Sequence, residues 1–262
     1  MKNEMILITG SNSGLGLHFA KLALQEKKKV ILHGRNAQKL EKVVSDFRSK
    51  GFEVESVCLD LGVPGSAQIL FDHCETNGWN ITELINNAGY GAFGRFDEID
   101  LPTQTAMMQL NMISLVELCH LFGKKMLALG EGKILNIASI AAFQPGPKMN
   151  VYCASKSFVL SFSEALHFEW KDAGVSVSCL CPGPTDTGFV SAANLQDSQL
   201  ASGKFMKWVP AAPVALKGYQ AMQRGTMTVV DGLMNNFLTL LIRILPKKWV
   251  VGISAKMMDR IH

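Results

Sequence analysis

Apolar residues in this chain fall into short, nearly unbroken runs separated by stretches of helical spacing, and the alternation recurs through most of its length. Met5 to Thr9, Lys29 to His33, Val54 to Leu59, Leu84-Ile85, Ile134 to Ala138, Val175 to Cys181 and Thr226 to Val230 read as strands. Most lack a polar alternation, as strands covered on both faces do. Between them, Leu15 to Gln25 sets Leu15, Phe19, Leu22 and Ala23 on one helix face. Helical patterns return at Ala37 to Ser49, Thr103 to Leu129, Tyr152 to Trp170 and Pro213 to Gln223. Strand–helix alternation of this kind predicts an α/β fold with a doubly wound parallel sheet of about seven strands, covered by helices on both faces. No linker composition or fixed repeat divides the chain, so residues 1–262 read as a single domain.

Two segments break the alternation. From Gly188 to Pro210 the pattern is lost, yet Phe189, Val190, Phe205, Met206, Trp208 and Val209 are more apolar than a solvated loop needs. Residues 186–212 are therefore expected to cover a substrate. Residues 232–262 form a helical extension in which Leu233 to Leu245 has only Asn235, Asn236, Thr239 and Arg243 as polar side chains. A helix so apolar must be buried in protein or lipid. The expectation is a lid docked on the 189–209 segment or on a partner subunit. The alternative is a peripheral membrane contact, because Pro246 is followed by Lys247, Lys248 and Trp249.

Composition narrows the class of protein. The 48% hydrophobic content supports a sizeable core, and the formal charge of +4 sits in short clusters that suit solvated surface. No basic stripe is interleaved with aromatics, so nothing points to nucleic acid. The six cysteines are scattered without a C-x-x-C pair or metal-ligand spacing, so the expected metal content is none and a reduced setting is favoured. The start passes from Lys2 through an apolar run into a glycine-rich turn without a signal-like segment, and a cytoplasmic location is expected.

The candidate chemistry sits where strands end. Gly10-Ser11-Asn12-Ser13-Gly14-Leu15-Gly16 joins the first strand to the first helix, a geometry that offers backbone N–H groups and a positive helix end to a phosphate. A plain tight turn fits the same residues. After the second strand, Gly34 stands where an acidic residue would hydrogen-bond a ribose 2′-hydroxyl, and Arg35 and Asn36 follow. No Asp or Glu occurs between residues 27 and 40, which favours Arg35 as a reader of a 2′-phosphate over a bare surface arginine. Asp60-Leu61 ends the third strand, Asn87-Ala88-Gly89 the fourth and Pro182-Gly183 with Thr185 and Thr187 the sixth. Ser139 ends the fifth, and Tyr152 and Lys156 lie one turn apart on the next helix. An ammonium beside a phenol lowers its pKa and poises it as a general acid or base, and Ser139 can donate to an oxygen that gains charge. Taken alone, the Tyr–Lys pair reads as a solvated helix face, and it is the other motifs that change this. Asn111 lies in mid-helix among apolar neighbours, hence buried and in need of a partner.

Taken together these motifs make the chain resemble the short-chain dehydrogenase/reductase family, which implies a Rossmann-type fold. The family's T-G-x-x-x-G-x-G matches Thr9 to Gly16, its N-N-A-G matches Asn86 to Gly89 and its Y-x-x-x-K matches Tyr152 to Lys156. Its active-site serine, thirteen residues before the tyrosine, matches Ser139, its helix asparagine matches Asn111, and its P-G-x-x-x-T matches Pro182 to Thr187. The tail is similar to that of ketoacyl- and steroid-reductase-like members. The resemblance implies that Tyr152 exchanges a proton with a carbonyl oxygen as hydride moves, that Lys156 binds the nicotinamide ribose and that Ser139 polarises the carbonyl. It implies that Asn111 holds a water and that Asp60 contacts adenine. The expected cofactor is NADP(H), the expected substrate a small apolar ketone, aldehyde or alcohol, and the expected assembly a homo-oligomer. Two other readings stay open: a membrane-surface lipid or ketoacyl reductase, and a dinucleotide-binding scaffold without catalysis.

Overall fold

The computed structural model describes residues 4–196, 198–203 and 207–259, so Phe205 and Met206 of the apolar loop lie outside the described residues. Its main sheet is built from β1 (Glu4–Ile8), β2 (Lys29–Gly34), β3 (Val54–Cys58), β4 (Asn80–Asn86), β5 (Gly132–Ile137), β6 (Val175–Cys181) and β9 (Thr228–Val230). All pairs are parallel, in the spatial order β3-β2-β1-β4-β5-β6-β9. Two-residue strands β7 (Thr185–Asp186) and β8 (Val209–Pro210) pair separately and clamp the two ends of the irregular segment. The order reverses between β1 and β4, and in such sheets a crevice opens at the carboxyl ends of the strands there.

Each strand feeds both sides of the sheet through its two-residue period. Ile6 and Ile8 of β1 join Phe19 of α1 (Gly14–Gln25), Val44 of α2 (Ala37–Ser49) and Tyr219 of α8 (Ala211–Arg224). Met5 and Leu7 point the other way, onto Leu70 of α3 (Ser66–Thr76), Phe122 of α5 (Ser114–Leu129) and Val159 of α6 (Asn150–Trp170). Both layers are dry and close-packed, with Phe122 and Phe71 meeting edge to face at 5.1 Å between centroids.

Three features differ from the sequence reading. The strand expected at Leu84-Ile85 starts earlier, at Asn80, because its polar residues alternate with core positions. The helix expected across Thr103 to Leu129 is α4 (Leu101–Met108), a π-helical turn (Gln109–Ile113) and α5. An extra residue per turn rotates Asn111 inward, and such bulges concentrate at functional sites. The tail departs most. It forms α9 (Leu233–Ile244) and α10 (Lys247–Met257), broken at Pro246 as expected. It is α10 that reaches the irregular segment, through Met258 against Ala193 and Leu195 and through Gln199 N–H donating to the Asp259 carbonyl at 2.8 Å. Helix α9 lies along the Ile140–Phe143 turn, with Arg243 over the Phe143 ring at 5.6 Å, and turns most of its apolar residues outward. The lid expected of the 233–245 segment is thus not formed by it within this chain.

Phe122 is 1% exposed at the centre of one layer, so Phe122→Ala leaves a cavity that rigid neighbours cannot fill. The variant should lose about 3–5 kcal/mol of stability, read as a lower midpoint in urea with an unchanged slope.

Candidate active site

The carboxyl ends of β1 and β4 are tied together by a small polar knot. Thr9 Oγ1 accepts the N–H groups of Asn87 and Ala88, both at 3.0 Å, and donates to the Ile85 carbonyl at 3.3 Å. Asn87 Nδ2 donates back to the carbonyls of Thr9 and Gly10 at 2.9 and 3.0 Å. The glycine turn is held from its other side by His33, whose Nδ1 accepts the Gly10 N–H at 3.3 Å. Ser11 Oγ exchanges two hydrogen bonds with the His33 backbone. A Cβ on Gly16 would lie 2.3 Å from the Gly10 carbonyl oxygen, which is why this position tolerates no side chain. Ser13 occupies the N-cap of α1, yet its side chain makes no capping bond. Backbone N–H groups at the start of α1 therefore face the crevice, where a diphosphate would satisfy them. Leu15, in contrast, is buried in the core and offers only its backbone.

The segment after β2 completes the cofactor side. Gly34 offers no carboxylate for a ribose hydroxyl, and a Cβ there would lie 2.9 Å from the Asn12 amide nitrogen, whose side chain would have to shift. Arg35 is exposed beside it. Asn36 caps α2, its Oδ1 accepting the Lys39 N–H at 2.9 Å, so this side chain serves the helix. Asp60 accepts the Gly62 N–H at 2.8 Å, and Leu61 is a core residue whose carbonyl takes the Ser114 hydroxyl at 2.6 Å. On the far side of the crevice, Thr185 Oγ1 donates to the Gly183 carbonyl at 2.8 Å and Thr187 Oγ1 to that of Thr185 at 3.3 Å. Pro182 accepts the Ile140 N–H at 2.9 Å, which fixes this turn against Ser139. Thr187 lies against Gly14, so the turn after β6 closes over the glycine turn. These residues form one continuous cradle that fits a dinucleotide with a 2′-phosphate.

Four further side chains converge beside it. Ser139 ends β5, its Oγ accepting the Ala141 N–H at 3.1 Å and sharing a hydrogen bond with Tyr152. Lys156 is 6% exposed, donates to the Ile137 carbonyl at 2.8 Å and sits 5.8 Å from the Tyr152 ring centroid. Asn111 Nδ2 donates to the Tyr90 carbonyl at 2.9 Å and to Ser155 Oγ at 3.1 Å, while its Oδ1 accepts the Tyr90 N–H at 3.2 Å. Asn111 and Lys156 meet at Gly89, where a Cβ would fall 2.9 Å from Asn111 Oδ1 and 3.5 Å from Lys156 Nζ. The buried partner that Asn111 required is backbone and Ser155.

Electrostatics here run opposite to the expectation for the pair. Burial pushes the Tyr152 phenol well above its ordinary value, and the bond to Ser139 only partly opposes this. Burial lowers Lys156 to about 8. A lysine that lowers its neighbour's pKa needs a charge exposed to the phenol; here both groups lie in a medium that disfavours charge. The phenol consequently keeps its proton at neutral pH, which suits an acid.

Over Tyr152 lies an apolar cluster of Met149, Cys153, Ala193, Leu195, Phe93 and Phe189, with the Phe189 ring 5.3 Å from that of Tyr152. The sequence marks Phe189 only as part of a covering loop, and Phe93 and Met149 only as members of the 90–95 and 143–149 stretches that could border a substrate. Isolated apolar residues in loops are indistinguishable in sequence from core filler.

The sequence profile of the short chain dehydrogenase family matches residues 4–198. The chain belongs to that family. It is 32% identical to an uncharacterised oxidoreductase of Bacillus subtilis, YvrD, over 78% of this chain and 76% of the other. A very-long-chain 3-oxoacyl-CoA reductase of Mus musculus is 29% identical over 98% of this chain and 81% of its own length. Among solved structures, a short-chain dehydrogenase of Sphingobium yanoikuyae in complex with NADPH superposes with a TM-score of 0.80 at 23% identity, covering 93% and 97% of the two chains. These matches place the fold and the family of oxidoreductases.

His33 is the residue whose role the motifs did not disclose. It is 2% exposed, burial lowers its pKa to about 4, and its Nδ1 must stay unprotonated to hold Gly10. An unfolded histidine titrates near 6.5. Between pH 6.5 and about 4 the unfolded chain gains a proton that the folded chain refuses, so this contribution is complete above 6.5 and drains as pH falls. The parent should lose about 3 kcal/mol across that window relative to His33→Gln. Parallel stability–pH curves for the two proteins would refute the assignment.

Proposed function

We propose that this chain is an NADPH-dependent carbonyl reductase, working reversibly as an alcohol dehydrogenase, on an apolar ketone or aldehyde. The observation that carries the reading is the meeting of Ser139, Tyr152 and Lys156 beneath an apolar cluster at the end of β5. NADPH, when bound, supplies the hydride. The chain's own residues do the rest. The substrate's apolar body replaces contacts with Phe189, Met149 and Phe93, while water is excluded from the carbonyl. The Ser139 hydroxyl donates to the carbonyl oxygen and is held in place by the Ala141 N–H. Tyr152, kept protonated by its surroundings, gives its phenol proton to that oxygen as charge develops. Lys156 positions the nicotinamide ribose and lends positive charge to the phenolate left behind. Asn111, anchored on Tyr90 and Ser155, stands beside Lys156 to relay the replacement proton through water.

The cofactor assignment rests on Gly34, Arg35 and the absence of any Asp or Glu between residues 27 and 40. A 2′-phosphate is met by the planar fork of Arg35 and by the N-terminus of α2. A second reading, a 3-ketoacyl thioester as substrate, is favoured by the mouse relative, whose match extends over 98% of this chain and so through the tail. A scaffold without catalysis has no use for the intact set of four polar side chains.

Tyr152→Phe should lower ketone turnover by roughly 10² to 10⁴ while NADPH affinity stays nearly intact. Turnover within a few-fold of the parent would remove Tyr152 from its role. Comparing aryl ketones with 3-ketoacyl thioesters in the parent protein separates the two substrate readings. Arg35→Ala should weaken NADPH ten-fold or more and leave NADH almost unchanged, because the charge-assisted bond contributes about 1.5–3 kcal/mol. Equal losses for both cofactors, measured by fluorescence titration, would show that Arg35 only shapes the loop.

A further inference from the structure

Helix α9 is amphipathic in the wrong sense for a tail that packs on its own domain. Its inner side carries Asn235, Leu238, Thr239 and Ile242, of which Thr239 is buried and the others half-buried. Its outer side carries Leu233, Met234, Phe237, Leu240, Leu241 and Ile244, at offsets of 1, 4, 7, 8 and 11 from the first. These are solvent-facing to a degree unusual for such side chains: Leu233 is 91% exposed, Phe237 60% and Ile244 77%. The inversion has a physical cause. The inner side meets polar backbone, with Asn235 Nδ2 donating to the Asp231 carbonyl at 2.6 Å and packed against Gly183, and Asn236 Nδ2 donating to the Val230 carbonyl at 2.9 Å. The polar residues are spent on the protein, and the apolar stripe is left over.

What covers the stripe is decided by charge. Between Asp231 and Asp259 the chain has no carboxylate, whereas Arg243, Lys247, Lys248 and Lys256 all fall within it. Helix α10 presents Lys248 and Lys256 on its outer face together with Trp249, 65% exposed, and Ile253, 54% exposed. Arg243 and Lys247 line a groove of about 710 Å³ at the junction of the two helices, whose other walls include Phe143, Pro145 and Leu245. Two copies packed stripe to stripe would bring eight like charges together with no acid in the segment to pair them. An anionic bilayer pairs all of them. No described helix is long and apolar enough to cross a membrane, so the fitting geometry is a helix lying in the interface. A free interfacial helix needs a broad cationic face, but one whose polar side is bonded to a folded domain does not.

We propose that the outer face of α9 and α10 is a docking surface for an anionic lipid bilayer, with Phe237, Leu240 and Ile244 entering the acyl boundary and Arg243, Lys247, Lys248 and Lys256 meeting the phosphates. Trp249 sits at the headgroup level, where its ring is amphipathic in the right sense. The exposed stripe takes no part in the chemistry around Tyr152, so the proposal does not depend on the catalytic reading, although the groove at its foot shares Cys153 with the apolar cluster there. It would place the apolar cluster beside the phase in which apolar carbonyl compounds concentrate.

Full-length protein should sediment with vesicles of phosphatidylglycerol and phosphatidylcholine and remain in solution with phosphatidylcholine alone. Binding should weaken steeply as salt is raised. Phe237→Glu with Leu240→Glu should abolish sedimentation, and because both residues are exposed, turnover of a soluble ketone should be unchanged. Lys247→Glu with Lys248→Glu should lower partition by roughly 30-fold or more. Tyr152→Phe should bind vesicles like the parent, which separates failure of this proposal from failure of the catalytic one. Three outcomes would overturn it: no sedimentation with anionic vesicles, equal sedimentation with neutral ones, or a shift from dimer to monomer on Phe237→Glu, which would make a second copy the occupant.

Discussion

The polar knot between Thr9 and Asn87 is the constraint on which the rest of this structure depends. A parallel sheet buried on both faces leaves no room for polar chemistry along its strands, so it must gather at their ends. At the point where strand order reverses, the ends of β1 and β4 diverge into different crossovers, and beyond the Ile8–Ile85 pair the backbone ladder adds one last bond, from the Thr9 N–H to the Ile85 carbonyl at 3.0 Å. The Thr9 and Asn87 side chains extend this tie with five hydrogen bonds to backbone groups, of which the Ile85 carbonyl and the Asn87 N–H also pair within the backbone. Removing either side chain would leave several buried N–H and carbonyl groups unpaired, each costing about 1–3 kcal/mol. The same bonds set the distance between the glycine turn and Gly89, and hence between a dinucleotide's phosphates and the groups around Tyr152.

A second polar ladder sits just beneath. Asn86 Nδ2 donates to Asn136 Oδ1 at 2.9 Å, and Asn136 Nδ2 to Ser163 Oγ at 2.9 Å, linking β4, β5 and α6. Asn136 is fully buried, so this ladder is expensive unless each member is satisfied. It couples the helix that carries Tyr152 and Lys156 to the strands that carry the cofactor motifs. The catalytic helix cannot slide along the sheet without breaking it.

How much of this was legible in the sequence follows from which residues have local signatures. Gly10, Gly16, Asn87 and Tyr152 stand in spacings that only a few backbone arrangements explain, and the alternation of runs is enough to give the sheet its class. Asn111 could be suspected because a polar residue among apolar ones must find a partner, but the π turn that aims it has no composition cue. His33 looked like the end of a buried strand, and its bond to Gly10 is between residues 23 apart. Met149 and Phe93 reach Tyr152 only through loops whose course the chain does not announce. The tail's periodicity was plain, yet periodicity gives the width of an apolar stripe and not its direction. That direction is set by Gly183 and the carbonyls of Val230 and Asp231, which no local pattern connects to residue 235 or 236.

The burial that raises Tyr152 and lowers Lys156 also bears on the direction of the reaction. In water a phenol and an ammonium are acids of nearly equal strength, near 10 and 10.4, so at neutral pH both keep their protons. Moving both into an apolar site pulls the two values apart in the sense that favours two neutral groups. A neutral phenol can donate a proton and cannot accept one, so on the proposed reading this arrangement favours the reductive direction of a reversible reaction. Oxidation requires the phenolate, and the phenolate requires Lys156 to be charged close to it. The ammonium lies 5.8 Å from the ring centroid and donates to the Ile137 carbonyl. A shift of Lys156 toward the ring would supply the missing charge, and the carbonyl of Ile137 would be the partner it leaves. On the proposed reading, the competition between that carbonyl and the phenolate for one ammonium sets how readily the site runs in either direction.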